Sequence, residues 1–309
     1  MTPIYRRIGQ GNCGTVWTAV SGFDAFISIK REDGGTGRSL KNDYNMHTQI
    51  LHCLSSHHPR VQIPKCLEYV PSENEIWWTR QLPRFPNGFQ VPCNALVTER
   101  IPPFSAMIRD RIIETFCPES LRASIESIKS SLPNKDCLIR PYLGRRRRLE
   151  KQSKLSSFSL RNYPLHADQI EELQLDTKLY ARIIAATLAD LYWRANVYAN
   201  DVEFVLAPAK EDHSPSIIVS DTIGEHILWI LDFDCCRRME MDEEGVKQAV
   251  SAFYGNDPYY PRPRRENPQD RVLWEEFKTQ FLESSAAIVK ENDIDPALPT
   301  LWVHLAEAH

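Results

Sequence analysis

A glycine-rich segment followed by a lysine constrains the fold of this chain more than any other feature. The segment reads Gly9-Gln-Gly11-Asn-Cys-Gly14-Thr-Val16, and Lys30 ends the apolar stretch that begins at Phe26. β-Branched and aromatic residues flank the glycines, so the pattern predicts two strands joined by a glycine turn. Glycines let a backbone approach a phosphate closely, and a lysine supplies positive charge. A phosphate-binding hairpin is therefore predicted at Gly11, Gly14 and Lys30, with an ordinary glycine turn as the alternative.

A second motif lies near the other end of the chain. Ile230-Leu-Asp232-Phe-Asp234 places two aspartates where an apolar strand ends. Carboxylates in that position are suited to holding Mg²⁺ or another cation, and capping of the next turn is the alternative. Asp43 falls early in a helix predicted over 39–54, where it either pairs with Lys30 or remains a solvent-exposed charge. Together these segments resemble the two ends of the nucleotide cleft of protein kinases.

The segment between the two motifs departs from the kinase pattern. Kinases need a catalytic aspartate followed five residues later by an asparagine, whereas this chain has Tyr198-Ala-Asn-Asp201-Val-Glu203. Residues two apart at the start of a strand point to the same side. Two carboxylates on one side repel, which would raise the pKa of one and let it act as a base. Asp201 and Glu203 are therefore the predicted catalytic pair, with two solvated loop acids as the alternative.

The order of predicted elements indicates an α+β, protein-kinase-like fold of two lobes. A small β-rich N-lobe is predicted over 1–103 and a mostly helical C-lobe over 104–309. Further strands are predicted at 66–70, 75–80, 95–101, 204–207 and 228–231. C-lobe helices are predicted after Asp176 and Asp242, which suit N-caps, and over 270–291.

Composition narrows the classes of partner. The net charge is −4 and the pI about 6.2, so no general basic field favours DNA. The basic residues concentrate in a loop over 140–161, where Arg145, Arg146, Arg147, Arg148 and Lys151 form a predicted RNA-binding surface; an import signal or a solvated loop is the alternative. The eight cysteines lack the spacing of a zinc site, so no metal is predicted. Reduced thiols and the absence of a long apolar segment favour a cytoplasmic protein without a membrane partner.

Several longer segments carry a more specific resemblance. They are Gly11-Asn-Cys-Gly-Thr-Val-Trp17, Asn42-Asp-Tyr-Asn-Met-His47, Glu99-Arg-Ile-Pro-Pro103, Cys137-Leu-Ile-Arg-Pro-Tyr-Leu-Gly144, Leu160-Arg-Asn-Tyr-Pro-Leu165, Asn200-Asp-Val-Glu-Phe-Val-Leu206, Trp229-Ile-Leu-Asp-Phe-Asp-Cys-Cys236 and Asn256-Asp-Pro-Tyr-Tyr-Pro261. They resemble a fungal family catalogued as a domain of unknown function under a zinc-finger label. On them the chain is identified as a member of that family, whose members are arginine-containing cyclodipeptide synthases of secondary metabolism.

The resemblance implies an aminoacyltransferase that needs no cofactor. It would join arginine from arginyl-tRNA to a residue from a second aminoacyl-tRNA, forming a cyclo(Arg-Xaa) diketopiperazine. The acidic D-x-E motif of the family falls on Asp201 and Glu203, whereas Tyr198 departs from an acidic position. Asp232 or Asp234 would hold the arginine guanidinium, and Arg145–Arg148 the tRNA backbone.

Two other functions remain open from the sequence. One is a kinase-like phosphotransferase that uses ATP and Mg²⁺ through the glycine segment, Lys30 and Asp232. The other is a pseudokinase or RNA-binding scaffold organised by the basic loop.

Overall fold

The smaller lobe is built on an antiparallel sheet that begins with the glycine hairpin. The computed structural model describes residues 4–54, 57, 60–147, 157–209, 216–256 and 258–309. The strands are β1 (Tyr5–Gln10), β2 (Thr15–Ala19), β3 (Ile27–Arg31), β4 (Cys66–Val70) and β5 (Ala95–Glu99), in the spatial order β1-β2-β3-β5-β4. β1 and β2 pair across the glycines, so the predicted strand–turn–strand is present.

Two helices accompany this sheet. α1 (Leu40–Leu54) starts after Ser39, whose Oγ accepts a hydrogen bond from the Asn42 amide at 3.3 Å. α2 (Glu75–Gln81) occupies the segment for which a strand was predicted at 75–80, and that prediction is wrong. A strand would place Ile76 and Trp78 on one face, but Trp78 is buried and Ile76 is 72% exposed. The Asn74 side chain caps the helix by accepting from the Trp77 amide.

The larger lobe is mostly helical, as predicted. Its helices are α3 (Ala106–Phe116), α4 (Ile125–Ser130), α5 (Ala167–Glu172), α6 (Thr177–Ala189), α7 (Glu243–Gly255), α8 (Pro268–Glu291) and α9 (Ala297–Ala308). Asp176 and Asp242 cap α6 and α7, as their positions indicated. A π-helical turn over Asp190–Arg194 continues α6 and brings Trp193 against α8, where its Nε1 donates to Ser285.

A second sheet forms the floor of the cleft between the lobes. Its strands are β6 (Ile139–Tyr142), β7 (Tyr163–His166), β9 (Glu203–Pro208) and β10 (His226–Leu231), in the order β10-β9-β6-β7. A separate pair joins β8 (Val197–Tyr198) to β11 (Arg237–Arg238). β9 and β10 contain the strands predicted at 204–207 and 228–231. Because Leu231 pairs with Glu203, the aspartates that follow β10 lie beside the start of β9.

Contacts between the lobes hold the cleft together. The backbone of Gln62, between α1 and β4, makes two hydrogen bonds to β10. Its N–H donates to the Leu228 carbonyl at 2.8 Å, and its carbonyl accepts from the Ile230 N–H at 2.9 Å. The Gln49 side chain on α1 donates to the Ala195 carbonyl at 2.6 Å. The two-lobed α+β fold predicted from the sequence is thus confirmed, while the division after residue 103 stays a prediction. Of the helices that the structure describes, none combines the length and apolar character needed to cross a membrane.

Candidate functional site

A cavity of about 480 Å³ lies between the two lobes. Every residue predicted to bind substrate or act in catalysis lines it: Gly11, Gly14, Lys30, Asp201, Glu203, Asp232 and Asp234. These side chains come from both lobes and from sequence positions far apart. The structure therefore gathers them into one site, although their roles stay predictions.

Lys30 lies between two carboxylates at one end of the cleft. Its Nζ donates to Asp43 Oδ2 at 2.7 Å and to Asp232 Oδ1 at 2.6 Å. Burial alone would lower the pKa of Lys30, but Asp232 and Asp43 outweigh it and hold that pKa well above its usual value. Asp43 also accepts from the Phe233 amide at 3.2 Å. The pairing considered for Asp43 from the sequence is present, and it joins the N-lobe sheet, α1 and the end of β10.

Arg38 is the second cation at this end. Its Nη1 donates to Asp201 Oδ2 at 2.5 Å, to Asp234 Oδ1 at 2.8 Å and to Cys235 Sγ at 2.6 Å. Those three acceptor side chains form a group within 4.8 Å of one another, the spacing of metal ligands. Burial, followed by the nearby Asp232 carboxylate, raises the pKa of Asp234. We call Lys30, Arg38, Asp43, Asp201, Asp232 and Asp234 together the lysine end.

The backbone at two of these aspartates is unusual. Asp201 has φ 61° and Asp232 has φ 68°, both in the left-handed region. Aspartate tolerates this region better than most residues, but the conformation still carries a cost of roughly 1 kcal/mol. The surrounding ion pairs hold both carboxylates toward the cleft despite that cost.

Glu203 lies on the floor of the cleft beside Arg140. Arg140 Nη2 donates to both carboxylate oxygens at 2.5 Å. Burial raises the pKa of Glu203 to about 7; Arg140 opposes this shift, and Asp232 adds to it. The sequence had predicted a raised pKa from repulsion between Asp201 and Glu203. The structure instead assigns the shift mainly to burial, with Asp201 as a minor contributor.

The glycine loop is fastened to the segment that follows β3. The Gly34 amide donates to the Cys13 carbonyl at 3.1 Å and the Gly35 amide to Asn12 at 3.0 Å. A Cβ added to Gly14, which has φ 151°, would lie 2.1 Å from the Arg31 carbonyl. Gly14 is therefore required by this close backbone approach, whereas a Cβ on Gly11 would meet nothing within 4 Å.

The connection between β8 and β9 is shorter than the catalytic loop of kinases. Only residues 199–202 connect β8 to β9. A catalytic aspartate and an asparagine five residues later do not fit into that length. Asp201 lies in this connection and is the acid that the loop offers to the cleft.

Of the arginines predicted to bind RNA, the three that the structure describes, Arg145, Arg146 and Arg147, do not line the cleft. Arg146 donates to Glu171 and Asp270, and Arg147 donates to Asp168 and Glu172. Arg145 is exposed, while Arg148 and Lys151 fall outside the described residues. Acidic partners thus neutralise two of the arginines, and binding of a tRNA backbone by this segment stays a prediction.

Sequence reasoning missed several polar residues of the cleft. Arg38 stands in the loop before α1. Arg140, on β6, falls within the segment Cys137–Gly144 quoted above, but no role was predicted for it. Arg100 and Asp136 also line the cavity, near the segment that joins the lobes. Each contacts partners distant in sequence, so no local pattern could have identified them.

The small sheet with its lysine, the acid on α1 and the aspartate after β10 define a protein-kinase-like fold. Over residues 228–293 the chain is similar to the family DUF3669, described as zinc finger protein. It also resembles the kinase domain of maize sucrose-induced receptor kinase 1 bound to AMP-PNP, at 13% identity and a TM-score of 0.32, covering 99% of this chain and 79% of that domain. So low a TM-score adds nothing to the argument from contacts. No curated protein matches.

These comparisons correct the family assignment made from sequence. The family model that matches, over residues 228–293, is described as zinc finger protein and not as a cyclodipeptide synthase, so the assignment to arginine-containing cyclodipeptide synthases is wrong. The expected partners, arginyl-tRNA and a second aminoacyl-tRNA, stay untested. The zinc-finger description finds no counterpart in the described residues, because the one group there with metal-ligand spacing is Asp201, Asp234 and Cys235.

Proposed function

We propose that this protein is a kinase-like phosphotransferase whose cleft binds a magnesium nucleotide. The observation that carries the proposal is the bridging of Asp43 and Asp232 by Lys30, at 2.7 and 2.6 Å. Kinases use the equivalent lysine to bind phosphates and the equivalent aspartate to bind Mg²⁺. Gly11 would let the β1–β2 turn lie over the phosphates, because, apart from its chain neighbours, no described residue has an atom within 4 Å of the position where a Cβ of Gly11 would stand.

The donor set of the lysine end fits a divalent cation. Four carboxylates there face two cationic side chains, Lys30 and Arg38. Asp232 would hold Mg²⁺, and Asp201 and Asp234, whose ligand atoms lie within 4.8 Å of each other, would offer further oxygens. Mg²⁺ prefers carboxylate oxygens and the oxygens of substrate phosphates. The metal would supply charge neutralisation for the transferred phosphoryl group.

Glu203 is the proton acceptor in this proposal. Its pKa of about 7 suits a group that changes protonation near neutral pH. Arg140 positions the carboxylate, and the short β8–β9 connection does not hold a catalytic aspartate together with an asparagine five residues later. Glu203 would thus take the role that this loop has lost.

One observation favours a second candidate, a kinase-like scaffold without transfer. Arg38 already stands among Asp201, Asp234 and Cys235, where its guanidinium substitutes for a bound cation. A protein of this kind would bind nucleotide without hydrolysing or transferring its phosphate.

Thermal unfolding with Mg-ATP, joined to an assay of phosphate release, tests both candidates. We expect Mg-ATP to raise the melting temperature and Lys30→Met to abolish that rise, because the phosphate charge loses its counterpart. Lys290→Met, at an exposed lysine on α8, is the matched control and should keep the rise.

The outcomes separate the candidates. Phosphate release that Glu203→Gln abolishes, with the melting shift retained, supports the phosphotransferase. A shift without release supports the scaffold. No shift at millimolar Mg-ATP contradicts nucleotide binding and both candidates with it.

A further inference from the structure

Arginines gather near the segment that joins the lobes. Arg100 and Asp136 line the cavity there, and with Arg6 and Arg161, which stand outside its lining, they form a group that we call the hinge end. Arg6 on β1 and Arg100 after β5 each donate an Nη2 to the same oxygen of Asp136, at 2.7 and 2.8 Å. Arg6 donates a second hydrogen bond to the other oxygen. Asp136 is only 6% exposed, so one buried carboxylate is shared by two guanidinium groups.

Arg161 adds a third positive charge beside this pair. Its Nε is buried, and among the described residues no atom accepts a hydrogen bond from it. Burial lowers the pKa of Arg161. Asp136 opposes this shift, while Arg7 and Arg6 lower the pKa further. Burial likewise lowers the pKa of Arg100, and nearby Arg6 contributes. The charge of Arg161 is therefore balanced only in part by Asp136.

Two neighbouring acids have partners of their own. Asp24 pairs with Arg84, and Glu99 Oε2 accepts from the Lys65 amide at 3.0 Å. A purely structural role, in which ion pairs hold the lobes together, accounts for the contacts of Asp136 with Arg6 and Arg100. It does not account for the unpartnered nitrogen of Arg161 or for the excess of positive charge.

We propose that the hinge end is a subsite for the phosphate group of a phosphomonoester whose organic part lies in the cleft. Guanidinium groups match phosphate because their planar N–H forks donate to two of its oxygens at once. A dianion also brings enough charge to balance several arginines, which one carboxylate does not. Arg100 and Asp136 line the cavity, so the bound phosphate continues into it. This subsite is separate from the phosphate contact proposed for Lys30, at the other end.

Isothermal titration of the full chain with inorganic phosphate and with adenosine 5′-monophosphate tests the subsite. Arg161→Gln should weaken binding of both about tenfold, the effect of losing one charged hydrogen bond. Arg122→Gln is the matched control, because Arg122 is exposed and pairs only with the exposed Glu119 among its described contacts. That control and Lys30→Met should bind inorganic phosphate within about twofold of the unmodified protein.

The direction of change in phosphate affinity separates the proposal from a purely structural effect. Asp136→Asn removes the negative charge of Asp136 and should tighten phosphate binding. If Asp136 serves only to hold the lobes together, the same change should weaken binding. Unchanged binding in Arg161→Gln, equal losses in Arg122→Gln, or weaker binding in Asp136→Asn would overturn the proposal. Tight binding of inorganic phosphate without binding of the monophosphate would also overturn it, since the site would then serve a free anion.

Discussion

The two ends of the cleft carry opposite excess charge. At the lysine end, Lys30 and Arg38 face the four carboxylates of Asp43, Asp201, Asp232 and Asp234. At the hinge end, Arg6 and Arg100 donate to Asp136, and Arg161 adds a third positive charge. Between them the Arg140–Glu203 pair is balanced.

The difference in charge indicates which kind of ligand group each end can bind. Excess carboxylate favours a cation, and excess guanidinium favours an anion. The cleft is therefore suited to a ligand whose groups differ in charge along its length, with metal-bound phosphates at one end and a separate anionic group at the other. Substitutions in the middle of the cleft, at the lysine end and in a basic region outside the cleft test this contrast in charge.

The largest effect is expected at Glu203, which separates the two ends. Its pKa is about 7 in the folded chain against 4.5 for the free side chain. The folded state then holds more protons between these values, so stability falls as pH rises from 4.5 to 7. Glu203→Gln should remove up to about 3 kcal/mol of that fall, measured by urea unfolding across this range.

Glu283→Gln, at an exposed glutamate on α8, is the control for this measurement. An identical pH dependence in the Glu203→Gln variant and the unmodified protein would show that burial does not raise the pKa of Glu203. The middle of the cleft would then carry no group suited to proton transfer near neutrality.

A smaller effect is expected at Arg38. Arg38→Ala removes the cation that Asp201 and Asp234 now share, so their repulsion should lower the melting temperature in buffer without divalent ions. Mg²⁺ or Mn²⁺ should restore it and bind about tenfold more tightly than to the unmodified protein. Unchanged affinity by calorimetry, with Arg122→Ala as the charge control, would mean that Arg38 does not compete with a metal at the lysine end.

The smallest effect is expected outside the cleft. The double change Arg146→Gln and Arg147→Gln should alter affinity for single-stranded RNA by less than about twofold, because both arginines already pair with carboxylates. Fluorescence anisotropy at low salt measures this. A loss of tenfold or more would show that these arginines leave their acidic partners to bind RNA, and would weaken the contrast with the hinge end.

Local spacing accounts for much of what could be predicted. The glycine turn, the lysine ending β3 and the caps at Asp176 and Asp242 follow from backbone preferences over a few residues. The error at 75–80 has a local cause as well, since two adjacent tryptophans satisfy both strand and helix composition and only the burial of Trp78 decides between them. The family assignment failed differently, because it carried a function over from short segments.

Strand and cap signals act between near neighbours, so most elements and the carboxylates that end them could be predicted from the chain alone. The charge of the cleft arises from folding, which brings distant residues together. Arg38 meets Asp234 across 196 positions, and Arg6 meets Asp136 across 130. Such contacts leave no periodic trace in a chain, and the burial that raises the pKa of Glu203 exists only once both lobes enclose it.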